Sequence, residues 1–232
     1  MKLISSAFAN FKMSKNKSFD QYETYILHLA PASLSGNNVC PKASKGCRAA
    51  CLNTAGRGIF NSVQQARIRK TKMFFENRLE FLNLLNKDLV AIERRALKNK
   101  KQAVVRLNGT SDLDWTLIRL TETTNKNVFE SFPNIQFYDY TKVFSRLERQ
   151  KQNPIENYDL TFSRSETNAS EVIQALKAGF NVASVHRSRP INSINGDLHD
   201  LRFLDPKGQA GYIVALSAKG KAKRDTSGFV QD

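Results

Sequence analysis

The sequence predicts an α/β fold, either a partial (βα)6 TIM-like barrel or an open parallel sheet. Apolar runs of strand length alternate along the 232 residues with longer segments of helical periodicity, and strands that are separated by helices pair in parallel. With 41% hydrophobic and 25% charged residues, the chain is long enough to bury a full core. We therefore expect a single α/β domain over residues 1–232.

Six strands are predicted, each a short apolar run bounded by turn residues or by a helical pattern. In chain order they are Tyr25–Leu29, Ala103–Leu107, Ile135–Tyr140, Tyr158–Ser163, Asn181–His186 and Gly211–Leu216.

Helical segments fill much of the sequence between these strands. Residues 59–107 contain no Gly or Pro, and apolar residues recur there at helical spacing, which predicts one long helix or two in series. Residues 115–127 form a further predicted helix. Residues 168–171 resemble a capped helix start, and Gly179 follows the last turn of that helix.

All three cysteines of the chain, Cys40, Cys47 and Cys51, lie in one loop after the first predicted strand. Three thiolates can hold an iron–sulfur cluster with one iron left open, or can supply most of a zinc site that His28 or His186 completes. We favour a [4Fe-4S] cluster with zinc as the alternative, because structural zinc sites usually show paired C-x2–4-C spacings. Three free thiols in one loop would invite oxidation.

The chain is strongly basic, with 36 Lys and Arg against 21 Asp and Glu and a net charge of +15. Part of this charge lies in a basic C-terminal tail, residues 217–232. An excess of this size favours a nucleic acid or a nucleotide as partner. No apolar run approaches the roughly 20 residues that span a bilayer, and the odd cysteine count argues against a complete set of disulfides. We expect no membrane association and a cytoplasmic location.

Polar residues follow the predicted strands at the positions where α/β enzymes collect their reactive groups. Four are candidate catalytic residues: Asp112, Lys142, Glu166 and His186. Eight are candidates for binding a cofactor: Asn108, Gly109, Thr110, Ser111, Tyr140, Ser163, Ser165 and Arg187. The alternative is that these positions are polar because loops are solvated. For Asp112 the alternative is an N-cap or Asx-turn for the helix around Trp115.

Four segments between residues 40 and 112, with a weaker one near the C-terminus, carry a family resemblance. They are Cys40-Pro-Lys-Ala, Gly46-Cys-Arg-Ala-Ala-Cys-Leu52, Ala66-Arg-Ile-Arg-Lys-Thr71, Arg106-Leu-Asn-Gly-Thr-Ser-Asp112 and Ser227-Gly-Phe-Val230. In these segments the chain resembles the phage and plasmid family called gene product 88. The resemblance implies a mobile-element origin, a shared architecture and, for a phage-encoded protein, the host cytoplasm as its location.

The cysteine loop after the first strand of a six-unit barrel also resembles the radical S-adenosylmethionine enzymes. Their cysteines hold a [4Fe-4S] cluster with C-x3-C-x2-C spacing, whereas the spacing here is C-x6-C-x3-C. The resemblance implies S-adenosylmethionine as a ligand, with residues 108–112 beside its amino group and Ser163, Ser165 and Glu166 at its ribose and carboxylate. Together with the basic charge, it leads us to expect an enzyme that acts on a nucleotide or nucleic acid. The alternative is a non-catalytic nucleic-acid-binding protein in which the cluster or zinc ion only holds the loop in place.

Overall fold

The computed structural model describes residues 1–6, 19–121, 123 and 125–232, which form a mixed α/β fold around a nine-stranded sheet. The strands are β1 (Ile4–Ser6), β2 (Tyr22–Leu27), β3 (Gln102–Arg106), β4 (Gln136–Thr141), β5 (Tyr158–Ser163), β6 (Val182–His186), β7 (Ile194–Asn195), β8 (Ile213–Ser217) and β9 (Val230–Gln231). The α-helices are α1 (Lys45–Ala49), α2 (Asn61–Glu76), α3 (Arg78–Lys98), α4 (Val128–Ser131), α5 (Phe144–Gln152) and α6 (Ala169–Lys177).

The sheet is mostly parallel, as the sequence predicts. Six parallel strands lie side by side in chain order, β2-β3-β4-β5-β6-β8. At one edge β1 pairs antiparallel with β2, and at the other β7 pairs parallel with β8. The C-terminal strand β9 pairs with the last two residues of β6, beyond the point where β5 pairs with β6. Within the described ranges the two edges do not pair, so the sheet is not closed into a barrel.

One apolar core joins the sheet to the helices α2 to α6. Alternate strand residues such as Val105, Phe137 and Phe162 enter this core, because successive side chains of a strand point to opposite faces. Phe81 and Leu89 of α3 are fully buried against them. Burial of each side chain of this size contributes about 1.5–3 kcal/mol, which fixes the helices on one face of the sheet.

The opposite face of the sheet is covered by residues 187–212, which hold β7 and a 3-10 turn but no α-helix. Val104 and Tyr138 pack there against Leu201. The guanidinium of Arg202, which is almost fully buried, pairs with Asp205 at 3.2 Å. The connection from β6 to β8 therefore departs from the expected series of six β-α units.

Most of the predicted elements are confirmed. Strand Tyr158–Ser163 is observed with the predicted bounds, and the other five shift by one to three residues. The long helical segment is two helices, which meet at Asn77. The predicted helix over residues 115–127 is wrong. Among the described residues of this range, only Trp115–Leu117 forms a helical turn, of the 3-10 type, and Asn127 instead caps α4 by accepting hydrogen bonds from two of its backbone N–H groups.

Among the residues with described positions, no helix is both long and apolar enough to cross a membrane.

Candidate functional site

A cavity of about 240 Å³ opens at the carboxyl ends of the parallel strands, and we call it the carboxyl-edge cavity. The ends of β3, β4, β5, β6 and β8 form one wall, and the cysteine segment forms another. Eleven of the residues that the sequence predicts for the site line it: Cys40, Cys47, Cys51, Asn108, Gly109, Thr110, Ser111, Asp112, Tyr140, Lys142 and Ser163. Strands that pair in parallel bring their carboxyl ends to one edge, which explains why residues far apart in sequence meet here.

The other four predicted site residues do not line this cavity. Ser165 is buried in the turn after β5, where its N–H donates to the side chain of Asn168. Glu166 binds the N-terminus of α1. His186 is buried at the end of β6, where burial and the charge of Arg164 lower its pKa. Arg187 ties down the C-terminal residues, and its Nε donates to Asp232 at 3.1 Å.

All three cysteines are half-buried free thiols. Cys47 lies on α1, and Cys40 and Cys51 lie in the loops on either side of that helix. The N–H of Ala32 donates to the Cys40 sulfur at 3.3 Å. Burial raises the pKa of Cys40 to about 11, and the Cys51 and Cys47 thiols add to the rise. Burial also raises the pKa of Cys51, and Cys47 contributes again. The three sulfurs are thus close enough to influence one another electrostatically.

The five-residue helix α1 is held in place by hydrogen bonds at its N-terminus. The hydroxyl oxygen of Ser44, the N-cap, accepts from the N–H of Cys47 at 3.2 Å. Glu166, from the loop after β5, accepts from the Ser44 hydroxyl and from the N–H of Gly46, both at 2.7 Å. A carboxylate at a helix N-terminus is favourable because it satisfies free N–H donors there. Glu166 therefore positions Cys47 without facing the cavity.

Asp112 links the loop after β3 to α5. One of its oxygens pairs with the buried guanidinium of Arg146 at 2.5 Å, and the other accepts from the N–H of Lys142 at 2.8 Å. The N-cap and Asx-turn alternative for Asp112 is wrong, because Asp114 caps the turn by accepting from the N–H of Thr116. Asp112 is thus at the cavity wall, but its charge is neutralised by Arg146.

The loop that carries Asn108 to Ser111 is fixed by its own side chains. Asn108 is buried and donates to Asp139 through both its backbone and its side chain, at 2.8 and 3.0 Å. Its amide oxygen accepts from the hydroxyl of Ser111 at 2.8 Å. Burial raises the pKa of Asp139 to about 6, against the lowering effect of Arg146 and of the Asn108 donors. The Thr110 carbonyl faces the thiol of Cys40 at 3.7 Å, so this loop forms a rigid wall beside the cysteines.

Cations that the sequence does not single out also line the cavity. Arg106 pairs with Asp200 at 3.4 Å and lies over the ring of Tyr140 at 4.5 Å. Lys219 pairs with Asp197 at 3.0 Å. Arg164 belongs to this group as well. Each of these residues follows or ends a strand, and this position could have been predicted from the sequence. Only the structure shows that the residues line one cavity.

Neither candidate zinc histidine lines the cavity with the cysteines. Burial lowers the pKa of His28 to about 3, and the charges of Arg67 and Arg106 add to the effect. No cysteine is among the groups that shift the pKa of His28 or His186. Across the described part of the chain, no three His, Cys, Asp or Glu side chains form a group that could hold a metal ion.

The C-terminal segment closes the cavity beside α1. Phe229 and Ala222 line the cavity and pack against Cys47 and Ala50. The ammonium of Lys142 lies 5.7 Å from the centre of the Phe229 ring. The predicted basic tail is therefore partly an element of the site wall.

The family model described as gene product 88 matches residues 3–232. The chain belongs to the gene product 88 family. The match includes the cysteine segment, the strand ends and the C-terminal segment, so the whole wall of the cavity lies within the part shared with this phage and plasmid family. The comparison with curated proteins finds no match, and the comparison with solved structures finds none either.

Proposed function

We propose that this gene product 88 protein binds a [4Fe-4S] cluster through Cys40, Cys47 and Cys51 and acts as a radical S-adenosylmethionine-like enzyme on a nucleotide or nucleic acid. One observation carries the proposal: the three thiols line a single cavity at the carboxyl ends of five of the six side-by-side parallel strands. In α/β proteins this edge is where ligands and catalytic groups collect.

The arrangement of the sheet supports the radical-enzyme part of the proposal. The parallel strands follow one another in chain order, and the helices of the main core pack on one face. A sheet that is wound in one direction in this way is a segment of a barrel, whereas a doubly wound sheet carries helices on both faces. We therefore propose a partial-barrel architecture, with the cysteine loop after its first parallel strand.

The residues of the cavity suit a cluster held by thiolates. Four cations, Arg106, Lys142, Arg164 and Lys219, line the cavity against the two carboxylates of Asp112 and Asp200, a surplus of 4 − 2 = +2. Ligand cysteines must lose their protons when metal binds. Three thiolates would add three negative charges, of which this surplus offsets two. The N–H donor of Ala32 to the Cys40 sulfur is of the kind that tunes iron–sulfur centres.

When bound, a cluster of this type with an open iron supplies an electron to a sulfonium ligand. The chain's own residues bind and orient that ligand. The rigid loop of Asn108 to Ser111 presents polar groups at one wall, and Ser163 and Tyr140 present hydroxyls at the adjacent strand ends. Phe229, which is 9% exposed, lines the cavity beside the cysteine helix.

The surroundings of the histidines favour iron–sulfur over zinc. A Cys3His zinc site needs a neutral imidazole that converges with the thiols. His28 instead lies among Arg67, Lys70 and Arg106, whose positive charges oppose a divalent cation at that ring.

The test is anaerobic purification with iron and sulfide analysis, an absorption spectrum and a S-adenosylmethionine cleavage assay. We expect about four iron and four sulfide per chain, and 5′-deoxyadenosine after reduction. Cys47→Ser should lose the iron, whereas Ser170→Ala, an exposed position on α6, should retain it. A colourless protein with one equivalent of zinc would exclude the cluster. An intact cluster with no binding or cleavage of S-adenosylmethionine would exclude the enzyme and leave the non-catalytic alternative.

A nucleic acid remains a predicted partner on the basis of the +15 charge. If phosphates are bound through this charge, the affinity must fall steeply as salt is raised. Affinity that does not change with salt would remove nucleic acid as a partner.

A further inference from the structure

Two cations from neighbouring strands face the carboxyl-edge cavity together. Lys142 directly follows β4 and Arg164 directly follows β5, and both line the cavity. The two strands pair over most of their length, with Thr141 opposite Phe162 near their ends. The Lys142 ammonium donates to the hydroxyl of Ser163 at 2.8 Å. Lys142 and the backbone next to Arg164 are thus immediate neighbours.

Neither cation forms an ion pair with any described residue, because the carboxylates nearby are engaged elsewhere. Asp112 is neutralised by the buried guanidinium of Arg146. Glu166, two residues after Arg164, accepts its hydrogen bonds from the N-terminus of α1. Asp200 pairs with Arg106. Two adjacent positive charges in one cavity thus lack a counter-charge from the described protein.

Arg164 also has an unused hydrogen-bond donor. Its Nη1 is buried and has no hydrogen-bond partner. Burial alone, with no opposing carboxylate, lowers the pKa of Arg164. Buried donors in native proteins almost always have an acceptor, and the space that Arg164 lines is the cavity itself. Arg164 therefore brings to the cavity a cation that lacks both an ion-pair partner and a full set of hydrogen bonds among the described residues.

We infer that Lys142 and Arg164 form an anion subsite that binds the phosphate group of the substrate, with the Ser163 hydroxyl between them. A guanidinium fork and an ammonium are the side chains that recognise phosphate most often, and neither cation has a carboxylate partner among the described residues. The inference rests on the proposed function for the location of the reaction, since it names the chemistry of the substrate in the same cavity. Phosphate binding itself does not require the cluster.

The test is calorimetric titration of the full chain with adenosine 5′-monophosphate, with adenosine as the uncharged probe. We expect the monophosphate to bind at least about tenfold more tightly than adenosine, since a charge-assisted contact contributes that much or more. Lys142→Met and Arg164→Gln should each remove about that factor and leave adenosine binding unchanged. Arg164→Lys, which keeps the charge but not the fork, should recover part of it. Arg189→Gln, an exposed arginine outside the cavity, is the matched control.

The subsite would be overturned if the monophosphate bound no better than adenosine. It would also be overturned if all variants bound the monophosphate equally well. If the two cavity variants weaken S-adenosylmethionine rather than the monophosphate, the phosphate assignment is also wrong. Iron content is measured in the same preparations, and thermal unfolding checks that each variant is folded. If the protein contains iron but binds the monophosphate no better than adenosine, the subsite is wrong and the cluster proposal stands. If the protein never acquires iron but still prefers the monophosphate, the cluster proposal is wrong and the subsite stands.

Discussion

Glu166 illustrates how a residue outside the cavity controls a residue within it. Its carboxylate lies in the loop after β5 and binds the N-terminus of α1, 120 positions earlier in the chain. The helix has only five residues and would be marginal by itself, because short helices depend on their tertiary contacts. The position of Cys47 thus depends on a hydrogen bond that no local pattern around the cysteines encodes.

We expect Glu166→Gln to lower the free energy of unfolding by about 1 kcal/mol at pH 7, because a charge-assisted hydrogen bond becomes a neutral one. Burial raises the pKa of Glu166, but the Ser44 and Gly46 hydrogen bonds prevail and lower it. The stabilisation is therefore complete above the ordinary glutamate pKa and disappears as the pH falls through the lower folded value. Urea unfolding at pH 7 and in acid measures both effects.

The control for this experiment is Glu171→Gln, a half-exposed glutamate in the first turn of α6. It should change stability by less than the Glu166 variant. A difference between wild type and Glu166→Gln that stays constant down to the most acidic pH would show that the carboxylate charge is not the cause.

Asp112→Asn should be much more destabilising, because it removes the closer of the two carboxylates that pair with the buried guanidinium of Arg146 and leaves only Asp114, at 3.9 Å. Removal of one member of a buried pair costs about 3–5 kcal/mol. Asp197→Asn offers a comparison, since its partner Lys219 is 43% exposed and exposed pairs contribute about 0–1 kcal/mol. Chemical denaturation of both variants gives the two values. Similar values would contradict the structural role that we assign to Asp112.

At the scale of elements, α1 fits its surroundings only because residue 46 has no side chain. A Cβ on Gly46 would lie 2.2 Å from the Ser227 hydroxyl oxygen and 2.8 Å from a Glu166 oxygen. Both distances are far below van der Waals contact. The C-terminal segment and the loop after β5 thus approach the helix backbone from two sides.

We therefore expect Gly46→Ala to displace α1, to destabilise the protein by about 1–3 kcal/mol as overpacking does, and to reduce iron retention. Thermal unfolding and iron analysis measure the two effects. Ser227→Ala removes the closest clashing atom, so the double variant should recover part of the loss through non-additivity. Additive losses in the double variant would mean that the clash is not with Ser227.

The sequence predicts the elements whose signals are local. The apolar run Tyr158–Ser163 is a strand with the predicted bounds, because its pattern and its flanking turns act over a few residues. The helix predicted from residue 115 onward is wrong, although the apolar residues between 115 and 120 have helix-like spacing. There Trp115 and Leu120 are buried individually from an irregular segment, and Arg119 forms a bridge with Asn127.

The site was predictable in part for a related reason. Strand ends of a parallel sheet meet at one edge whatever the side chains are, so residues such as Asn108 and Ser163 could be placed together. The roles of Asp112 and Glu166 could not be foreseen, because they depend on partners 34 and 120 positions away. Arg164 has no ion-pair partner because the surrounding carboxylates bind other groups. The spacing of residues in the sequence cannot show this.

At the scale of the whole molecule, the chain ends by completing the site that begins near residue 40. β9 has two residues and pairs with the end of β6, at Val185 and His186. This pairing brings Phe229, which is 9% exposed, against Cys47 of α1. Asp225 fixes the turn before β9 by accepting from the N–H of Val230 at 3.0 Å. The sheet, the cysteine helix and the C-terminus thus form one connected wall.

This connection predicts that Phe229→Ala makes the cysteines more reactive while the rest of the fold persists. The small apolar group around Phe229 is separate from the core that joins the sheet to α2–α6, so its loss should open the wall locally. We expect alkylation of Cys47 in protein without metal to accelerate on the order of tenfold, as a loss of about 1.4 kcal/mol in local stability implies. Tyr212→Ala removes a half-exposed aromatic residue elsewhere and should leave the rate unchanged. Mass spectrometry of the alkylated peptides measures both rates. If Phe229→Ala instead lowers the global unfolding midpoint without a selective increase at Cys47, the C-terminal segment belongs to the main folding unit and is not a separate cover of the site.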